Sequence, residues 1–264
     1  MNNFWETSDI MIIRPKSLYV CTIPKGNLMK KKLLALSIAL ALAGTSGILH
    51  AEGKLKAGKN KAASCAGCHG EKGNSAMPMF PKLASQNITY LVRQLQAFKS
   101  DARNDPTMAP MAMGLSDQDM EDLAVYYNKQ RITRNELPVL MVDEDEDEDE
   151  DEEEMEESSG ETAIDPAQQV QDLITQGSDL YRNGDVEREV SACIACHGPY
   201  GEGNEPAGFP VLKSQHADYL IKTLTDFKTG ARSDSPNNMM NLIAKKMSEE
   251  EIQAVSYYIS MMKP

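Results

Sequence analysis

Histidine and cysteine are scarce in this 264-residue chain, which contains four histidines and five cysteines. The chain also lacks a net positive charge: its formal net charge is −13, so nucleic-acid binding is not expected. The acidity is local, because residues 143–157 hold fourteen carboxylates among fifteen positions. Removing those fourteen charges leaves a net charge of +1, so the rest of the chain is nearly neutral.

The apolar run near the start of the chain is too short for a membrane-spanning helix, which needs ~20 apolar residues. The run covers the eleven residues 33–43, with one polar residue, Ser37, and it follows a basic stretch at residues 29–32. Small residues come next, and Ala51 stands before an expected cleavage at Glu52. This order is typical of a secretory signal peptide. We therefore predict a signal peptide at residues 29–51, export to the periplasm, and a true start after residues 1–28.

Cleavage at that position leaves four cysteines, and all four lie in two Cys-x-x-Cys-His motifs. The motifs are Cys65, Cys68 and His69, and Cys193, Cys196 and His197. This pattern is typical of c-type haem attachment. The two thiols add to the haem vinyl groups, and the histidine after the second cysteine becomes the proximal iron ligand. We predict two covalently bound haem c groups.

Three other uses of these cysteines fit the sequence less well. Structural zinc sites place their ligand pairs close together, whereas these pairs stand 128 residues apart. A thioredoxin-like redox pair would need a surrounding βαβ pattern, and the flanking sequence favours helices. Disulfides of an exported protein would leave the histidine after each pair unexplained. Haem attachment accounts for all of these observations.

The two motifs belong to an internal repeat. Residues 80–83 (Phe-Pro-Lys-Leu) correspond to residues 209–212 (Phe-Pro-Val-Leu) at an offset of 129. A Ser-Gln pair and an Ala-Arg pair further along each copy keep the same offset. We predict two tandem copies of one domain, at residues 52–135 and 163–264. Residues 136–162 between them contain the acidic run, and we predict an acidic, disordered linker there.

Both copies are predicted to be all-α. In the first copy the apolar residues at positions 88, 91, 92, 95 and 98 recur at helical spacing. Ser116 with Asp119 three residues later, and Ser248 with Glu251, are typical of a capping box at a helix start. A bound haem would supplement the core of domains this small.

After the predicted cleavage the chain has too few histidines to supply a second histidine ligand to each iron. His69 is the only histidine of the first copy, and the second has only His216 in reserve, which we expect to be an exposed polar residue. Methionine is therefore the expected distal ligand, and it raises the reduction potential. The candidates are Met108, Met111 and Met113 in the first copy and Met239 and Met240 in the second. Met108 and Met240 each stand eight residues before a capping serine, which favours this pair.

The chain resembles the diheme cytochrome c4 family over nearly all of residues 52–264. The resemblance lies in residues 65–70 (CAGCHG), 73–75 (GNS), 80–83 (FPKL) and 115–117 (LSD), and in the second copy. It implies two class I cytochrome c folds about a pseudo-twofold axis, with haem propionates near the shared interface. It also implies Met108 and Met240 as distal ligands, and Pro81 and Pro210 as carbonyl acceptors for the proximal histidines. The long acidic linker departs from the family pattern.

Two protein ligands on each iron would leave no position for a substrate, so we expect electron transfer and no catalysis. The resemblance implies a periplasmic carrier between a quinol-oxidising bc complex or a dehydrogenase and a terminal oxidase. The alternative is a diheme electron-accepting subunit of a periplasmic oxidoreductase, such as a sulfide-oxidising flavocytochrome. A diheme peroxidase or thiosulfate dehydrogenase would need an open iron or an unusual ligand. Peripheral association with the membrane is left open.

Overall fold

The computed structural model of the chain describes residues 55–138, 140 and 165–264. The predicted leader (1–28), the signal peptide (29–51) and the acidic run of the predicted linker lie outside these residues. Within these ranges, regular secondary structure is helical, with two isolated antiparallel bridges in the second copy. The prediction of an all-α fold is confirmed. None of the helices in these ranges has the length and apolarity that a bilayer crossing needs.

Within the described ranges the two copies contain the same series of α-helices, although their 3-10 turns lie at different points. The first consists of α1 (Leu55–Lys61), a 3-10 turn (Ala62–Ser64), α2 (Ala66–His69), α3 (Ile88–Lys99), α4 (Met108–Met113) and α5 (Asp117–Asn128). The second consists of α6 (Pro166–Asn183), α7 (Ile194–His197), α8 (Ala217–Thr229), a 3-10 turn (Pro236–Asn238), α9 (Met239–Ala244) and α10 (Glu249–Met261). The repeat seen in the sequence is therefore a repeat of structure.

The predicted helix starts and apolar stripe are confirmed. Ser116 caps α5 and Ser248 caps α10, each in a reciprocal capping box with the acidic residue three positions later. These bonds satisfy backbone N–H groups that a helix start leaves without a partner. Leu91 of the α3 stripe is buried with Leu123, Ala124 and Tyr127 of α5, which places the core of the first copy between these two helices.

In each copy the first and last helices cross at a glycine. Gly58 of α1 lies against the backbone of α5, and a Cβ added there would overlap the carbonyl oxygen of Asp122. Gly177 of α6 lies in the same way against Ala254 of α10. Both glycines are buried within their helices. Close approach of two helix backbones requires a residue without a side chain, so packing overrides the poor helix propensity of glycine here.

The two copies face each other through reciprocal contacts. The Arg103 guanidinium donates to the Tyr219 hydroxyl at 3.2 Å, and the repeat-equivalent Arg232 donates to the Tyr90 hydroxyl at 3.2 Å. Pairs of this kind, in which i contacts j′ and j contacts i′, are the mark of a twofold relation. The interface therefore has the pseudo-twofold arrangement that the family resemblance implied.

Other contacts across the interface have no counterpart. The Glu205 carboxylate accepts hydrogen bonds from the backbone N–H groups of Ile88 (3.0 Å) and Thr89 (2.9 Å), so the second copy caps the start of α3. A carboxylate is favourable there because a helix N-terminus carries partial positive charge. Arg232 and Asp234 form a buried ion pair at 2.6 Å, and the Asp234 side chain also accepts from Gln94 of the first copy. The two domains are thus joined by specific polar contacts.

The chain leaving the first copy runs onto the second. The Asn135 amide donates to the backbone carbonyls of Ser214, Gln215 and Ser260. Leu140 packs against the small apolar cluster that contains Val170 of α6. Asn135 and Leu140 therefore contribute to the docking of the two copies before the acidic run begins.

The helix crossing gives a stability test. Gly58→Ala would gain about 1 kcal/mol if only helix propensity mattered. We expect it to destabilise the protein by roughly 1–3 kcal/mol, because the added methyl forces the two backbones apart. Guanidinium unfolding of the haem-loaded protein measures the change. Gly114→Ala is the control, since a Cβ at Gly114 would meet open space. A more stable Gly58→Ala protein would contradict the packing described here.

Candidate haem sites

Each Cys-x-x-Cys-His motif is placed on a very short helix. Cys65 directly precedes α2 and Cys193 directly precedes α7. A helical turn brings residues three and four positions apart onto one face, so both thiols and the histidine of a motif lie on neighbouring positions of one surface. All four cysteines are partly buried, and none of the four is paired in a disulfide. They are accessible for the two thioether bonds that covalent haem attachment requires.

The predicted proximal histidines are buried and hydrogen-bonded. His69 is 5% exposed and its Nδ1 lies 2.8 Å from the carbonyl oxygen of Pro81. His197 is 7% exposed and its Nδ1 lies 3.0 Å from the carbonyl oxygen of Pro210. A carbonyl oxygen can only accept, so Nδ1 carries the proton in each ring and Nε2 keeps its lone pair. The family resemblance implied these two prolines as acceptors, and their carbonyl oxygens lie at hydrogen-bonding distance.

Burial keeps both imidazoles neutral. Desolvation lowers the pKa of His69 and of His197, although the hydrogen bond to the proline carbonyl acts in the opposite direction. A neutral imidazole with a free Nε2 lone pair is the form that binds a metal ion. Together with the pair of free thiols in each motif, these rings fit a covalently bound haem at both sites.

The Phe-Pro pair repeated in the sequence has a structural reason at each site. The Phe80 ring packs against the His69 ring in an edge arrangement, with centroids 6.3 Å apart, and Phe209 lies 6.3 Å from His197. The proline that follows each phenylalanine supplies the carbonyl. One dipeptide therefore fixes the orientation of the histidine ring by packing and by a hydrogen bond, which are the two usual means of orienting a metal ligand.

The favoured distal methionines occupy similar places in the two copies. Met108 begins α4 and Met240 is the second residue of α9, and both side chains are half-buried. The Met108 N–H donates to the Asp105 carboxylate at 2.9 Å, and the Met240 N–H donates to the Ser235 hydroxyl at 3.2 Å. Helix α4 packs against α3, and α9 packs against α8. These contacts place Met108 next to α3 and Met240 next to α8.

The competing methionines differ in exposure. Met111 is 46% exposed and Met113 is 68% exposed, whereas Met239 is half-buried like Met240. Met108 therefore stands apart from its competitors in the first copy. In the second copy the choice between Met239 and Met240 still depends on the repeat spacing.

The expectation that His216 is an exposed polar residue is wrong. Its side chain is half-buried, and Nε2 lies 2.9 Å from the carbonyl oxygen of Ser75 in the other copy. Burial lowers the pKa of the ring. Because a carbonyl only accepts, Nε2 carries the proton in this contact. His216 belongs to the domain interface, where the pairing of the two copies buries a position that looked solvated in the sequence.

Several polar residues next to the sites were missed as functional candidates. Gln86 and Gln215 are 6% and 5% exposed, and each bonds the backbone just after the proline of the other copy. Their signal in the sequence is the Ser-Gln pair that recurs at the same place in both copies. Lys82 directly follows Pro81, and its ammonium donates to the Thr133 carbonyl and to the Asn135 side chain. Burial lowers the pKa of Lys82 to about 8.

Comparisons with known proteins find relatives of both copies. The sequence profile of the cytochrome c family matches residues 55–129 and 174–263, one match for each copy. Cytochrome c4 of Azotobacter vinelandii is 39% identical over 241 residues, which cover 88% of this chain and 98% of that protein. The crystal structure of reduced recombinant cytochrome c4 from Pseudomonas stutzeri aligns with a TM-score of 0.65 and 37% identity, covering 80% of this chain and all of that one. A thiosulfate dehydrogenase electron acceptor of Stutzerimonas stutzeri is 34% identical over 205 residues, covering 77% of this chain and 81% of that protein.

The two attachment sites can be separated by mutation. Replacing Cys65 and Cys68 with alanine should remove one haem and leave the other, because each motif holds its own group. Mass spectrometry of the exported protein should show two haems on the wild type and one on the variant. The matched variant at Cys193 and Cys196 should lose the other haem. Two haems on either variant would contradict the assignment of the sites.

Proposed function

The chain belongs to the cytochrome c4 family, and from that premise we propose that it carries electrons in the periplasm between a quinol-oxidising bc complex or a dehydrogenase and a terminal oxidase. Its cofactors are two covalently bound haem c groups. When bound, each haem iron accepts and releases one electron. The chain's own residues hold the ring that ligates each iron, exclude water from it and set its reduction potential.

The observation that carries this proposal is the equal construction of the two sites. Each has a buried histidine held through Nδ1 by a proline carbonyl, and each has a methionine eight residues before a capping serine. With His69 and Met108 on one iron and His197 and Met240 on the other, neither iron keeps an open position. Closed coordination suits electron transfer and leaves no place for a substrate, so we propose a carrier and not an enzyme. Met–His ligation also raises the potential, as a carrier late in a respiratory chain needs.

The interface supports a relay within one molecule. The peptide groups that follow both proximal prolines are buried at the contact between the copies, so the backbone that holds each histidine lies at this contact. An electron that enters at one domain can then leave from the other.

Export of the chain follows from the predicted signal peptide at residues 29–51, since covalent haem attachment and the signal indicate the same compartment.

A second candidate is the role of a diheme electron-accepting subunit of a periplasmic oxidoreductase. The similarity to a protein named as a thiosulfate dehydrogenase electron acceptor favours it. A sulfide-oxidising flavocytochrome would use the same type of subunit. In both cases the chemistry on the substrate belongs to the partner, and this chain still receives single electrons.

The distal ligands test the carrier assignment. Thioether ligation of ferric haem gives a weak absorption band near the red end of the visible range. Met108→Ala should remove half of this band, lower the potential of that haem and open its iron to cyanide, because a ligand that raises the potential is lost. Met240→Ala should do the same at the other haem.

The matched controls are Met113→Ala, which alters an exposed side chain, and Met239→Ala, which alters the neighbour of Met240. Both should keep the full band. A wild-type protein that already binds cyanide or reacts readily with peroxide would contradict the carrier assignment. Loss of half of the band in Met239→Ala would instead identify Met239, and not Met240, as the distal ligand of the second haem.

Reduction kinetics distinguish the two candidate roles. We expect the purified, oxidised protein to be reduced rapidly by a bc complex supplied with quinol, and then to be oxidised by a terminal oxidase in the same mixture. A thiosulfate dehydrogenase with thiosulfate, or a flavoprotein with sulfide, is the comparison donor. Stopped-flow absorbance measures both reactions. Reduction only by the sulfur-oxidising enzymes would overturn the first role in favour of the second.

A further inference from the structure

Two buried glutamines exchange hydrogen bonds across the domain interface. Gln215 of the second copy accepts the Lys82 N–H at Oε1 (2.8 Å) and donates from Nε2 to the Lys82 carbonyl (2.9 Å). Gln86 of the first copy accepts the Val211 N–H at Oε1 (2.8 Å) and donates from Nε2 to the Val211 carbonyl (2.9 Å). Lys82 and Val211 are repeat equivalents, so the contact is made twice with the roles of the domains exchanged.

Each of these N–H groups belongs to the peptide unit that holds a proximal histidine. The Lys82 N–H and the Pro81 carbonyl are the two ends of one peptide bond, and that carbonyl accepts the hydrogen bond of His69. The Val211 N–H and the Pro210 carbonyl form the equivalent unit for His197. An unbroken path therefore runs from Gln215 through one peptide unit to His69, and from Gln86 through another to His197.

Hydrogen bonds linked through a peptide unit strengthen one another. When an acceptor binds the peptide N–H, the nitrogen becomes richer in electrons. Because the peptide bond is delocalised, part of this electron density moves to the carbonyl oxygen. A more negative carbonyl oxygen takes a stronger hydrogen bond from the imidazole Nδ1–H. A more strongly bonded imidazole is a more basic iron ligand. It then favours the ferric state and lowers the reduction potential of that haem.

The glutamines are held for this role by the backbone before them. Ser85 and Ser214 have φ values of 60° and 55°, a left-handed conformation that non-glycine residues rarely adopt. Each serine hydroxyl bonds a carbonyl of its own domain, Ser85 with Gln130 and Ser214 with Met262. This sharp turn directs the next side chain out of its own domain. The strained conformation is thus repeated where it aims a glutamine at the other copy.

We propose, building on the proposed assignment of His69 and His197 as iron ligands, that Gln215 lowers the potential of the haem at Cys65 and Cys68 and that Gln86 lowers the potential of the haem at Cys193 and Cys196. Each glutamine is a positioning residue that acts through a peptide unit of the opposite domain. Docking of the domains is therefore part of each haem's electronic environment. The tuning is crossed: the residue that adjusts one haem stands in the domain that carries the other.

The variants Gln215→Met and Gln86→Met, in the full haem-loaded protein, test this crossed tuning. Methionine has a similar length, and its thioether is a much weaker acceptor for the peptide N–H than the amide oxygen is. We expect Gln215→Met to raise the midpoint potential of the first haem and leave the second unchanged, and Gln86→Met to do the reverse. Redox titration followed by NMR, with the haem methyl signals assigned to each domain, gives the two potentials separately.

A second readout follows the hydrogen bond directly. In the reduced, diamagnetic protein the Nδ1–H proton of His69 should move upfield in Gln215→Met, since its acceptor is less polarised, while the His197 proton stays in place. Gln215→Glu is the conservative rescue, because its side chain still accepts from the Lys82 N–H. The His69 proton should remain at or downfield of its wild-type position in that variant.

Thr89→Val is the matched interface control, because it removes a side-chain hydrogen bond to Glu205 across the same surface without touching either proline peptide. It should move neither potential. Equal shifts of both haems in Gln215→Met, a shift confined to the haem of the mutated domain, or unchanged potentials would each overturn the crossed tuning. If His69 and His197 are not iron ligands, the red absorption band would already be missing from the wild type. That result separates failure of the ligand assignment from failure of the tuning.

Discussion

The hydrogen bond between a buried imidazole Nδ1–H and a proline carbonyl is the constraint on which both halves of this molecule depend. It settles the tautomer of each histidine, so that Nε2 keeps its lone pair, and it holds the ring at a fixed angle. The phenylalanine before each proline supports the same ring from the side. A c-type haem is tied covalently through its edge, and its iron needs a ligand that does not turn. The Phe-Pro pair meets that need in both copies.

The same peptide unit also faces the other domain, which joins ligand orientation to domain docking. Gln86 and Gln215 reach it from across the interface, and the buried contact of Arg232 with Asp234 and Gln94 stabilises the surface around them. Burying these polar groups costs little free energy because each one is hydrogen-bonded. Removing one partner would leave the other as a buried polar group without a hydrogen bond, which destabilises the interface. The two domains can therefore dock in one relative position only. A shift of one domain by one residue along the other would break every reciprocal pair of hydrogen bonds.

Duplication explains the symmetry of the molecule, and later divergence explains the difference between its halves. Val211 stands where the first copy has Lys82, whose ammonium is buried enough for its pKa to fall to about 8. Glu205 caps α3 without an equivalent in the first copy. These differences place unequal charge beside two otherwise equal histidine sites. Unequal surroundings are a physical reason for two haems of one chain to differ in potential.

The chemistry of attachment was readable from the sequence because it is local. Two thiols and a histidine within five residues, given twice, specify two haem c groups whatever the fold around them. The capping boxes at Ser116 and Ser248 and the apolar stripe of α3 were also predictable, since each depends on residues three or four positions apart. The glycine crossings, the interface position of His216 and the partners of the two glutamines could not be predicted. Gln86 meets Val211, and Gln215 meets Lys82, over separations of 125 and 133 residues. Only the packing of the two domains brings such residues together, because no local preference in the chain encodes which distant backbone group a side chain will meet.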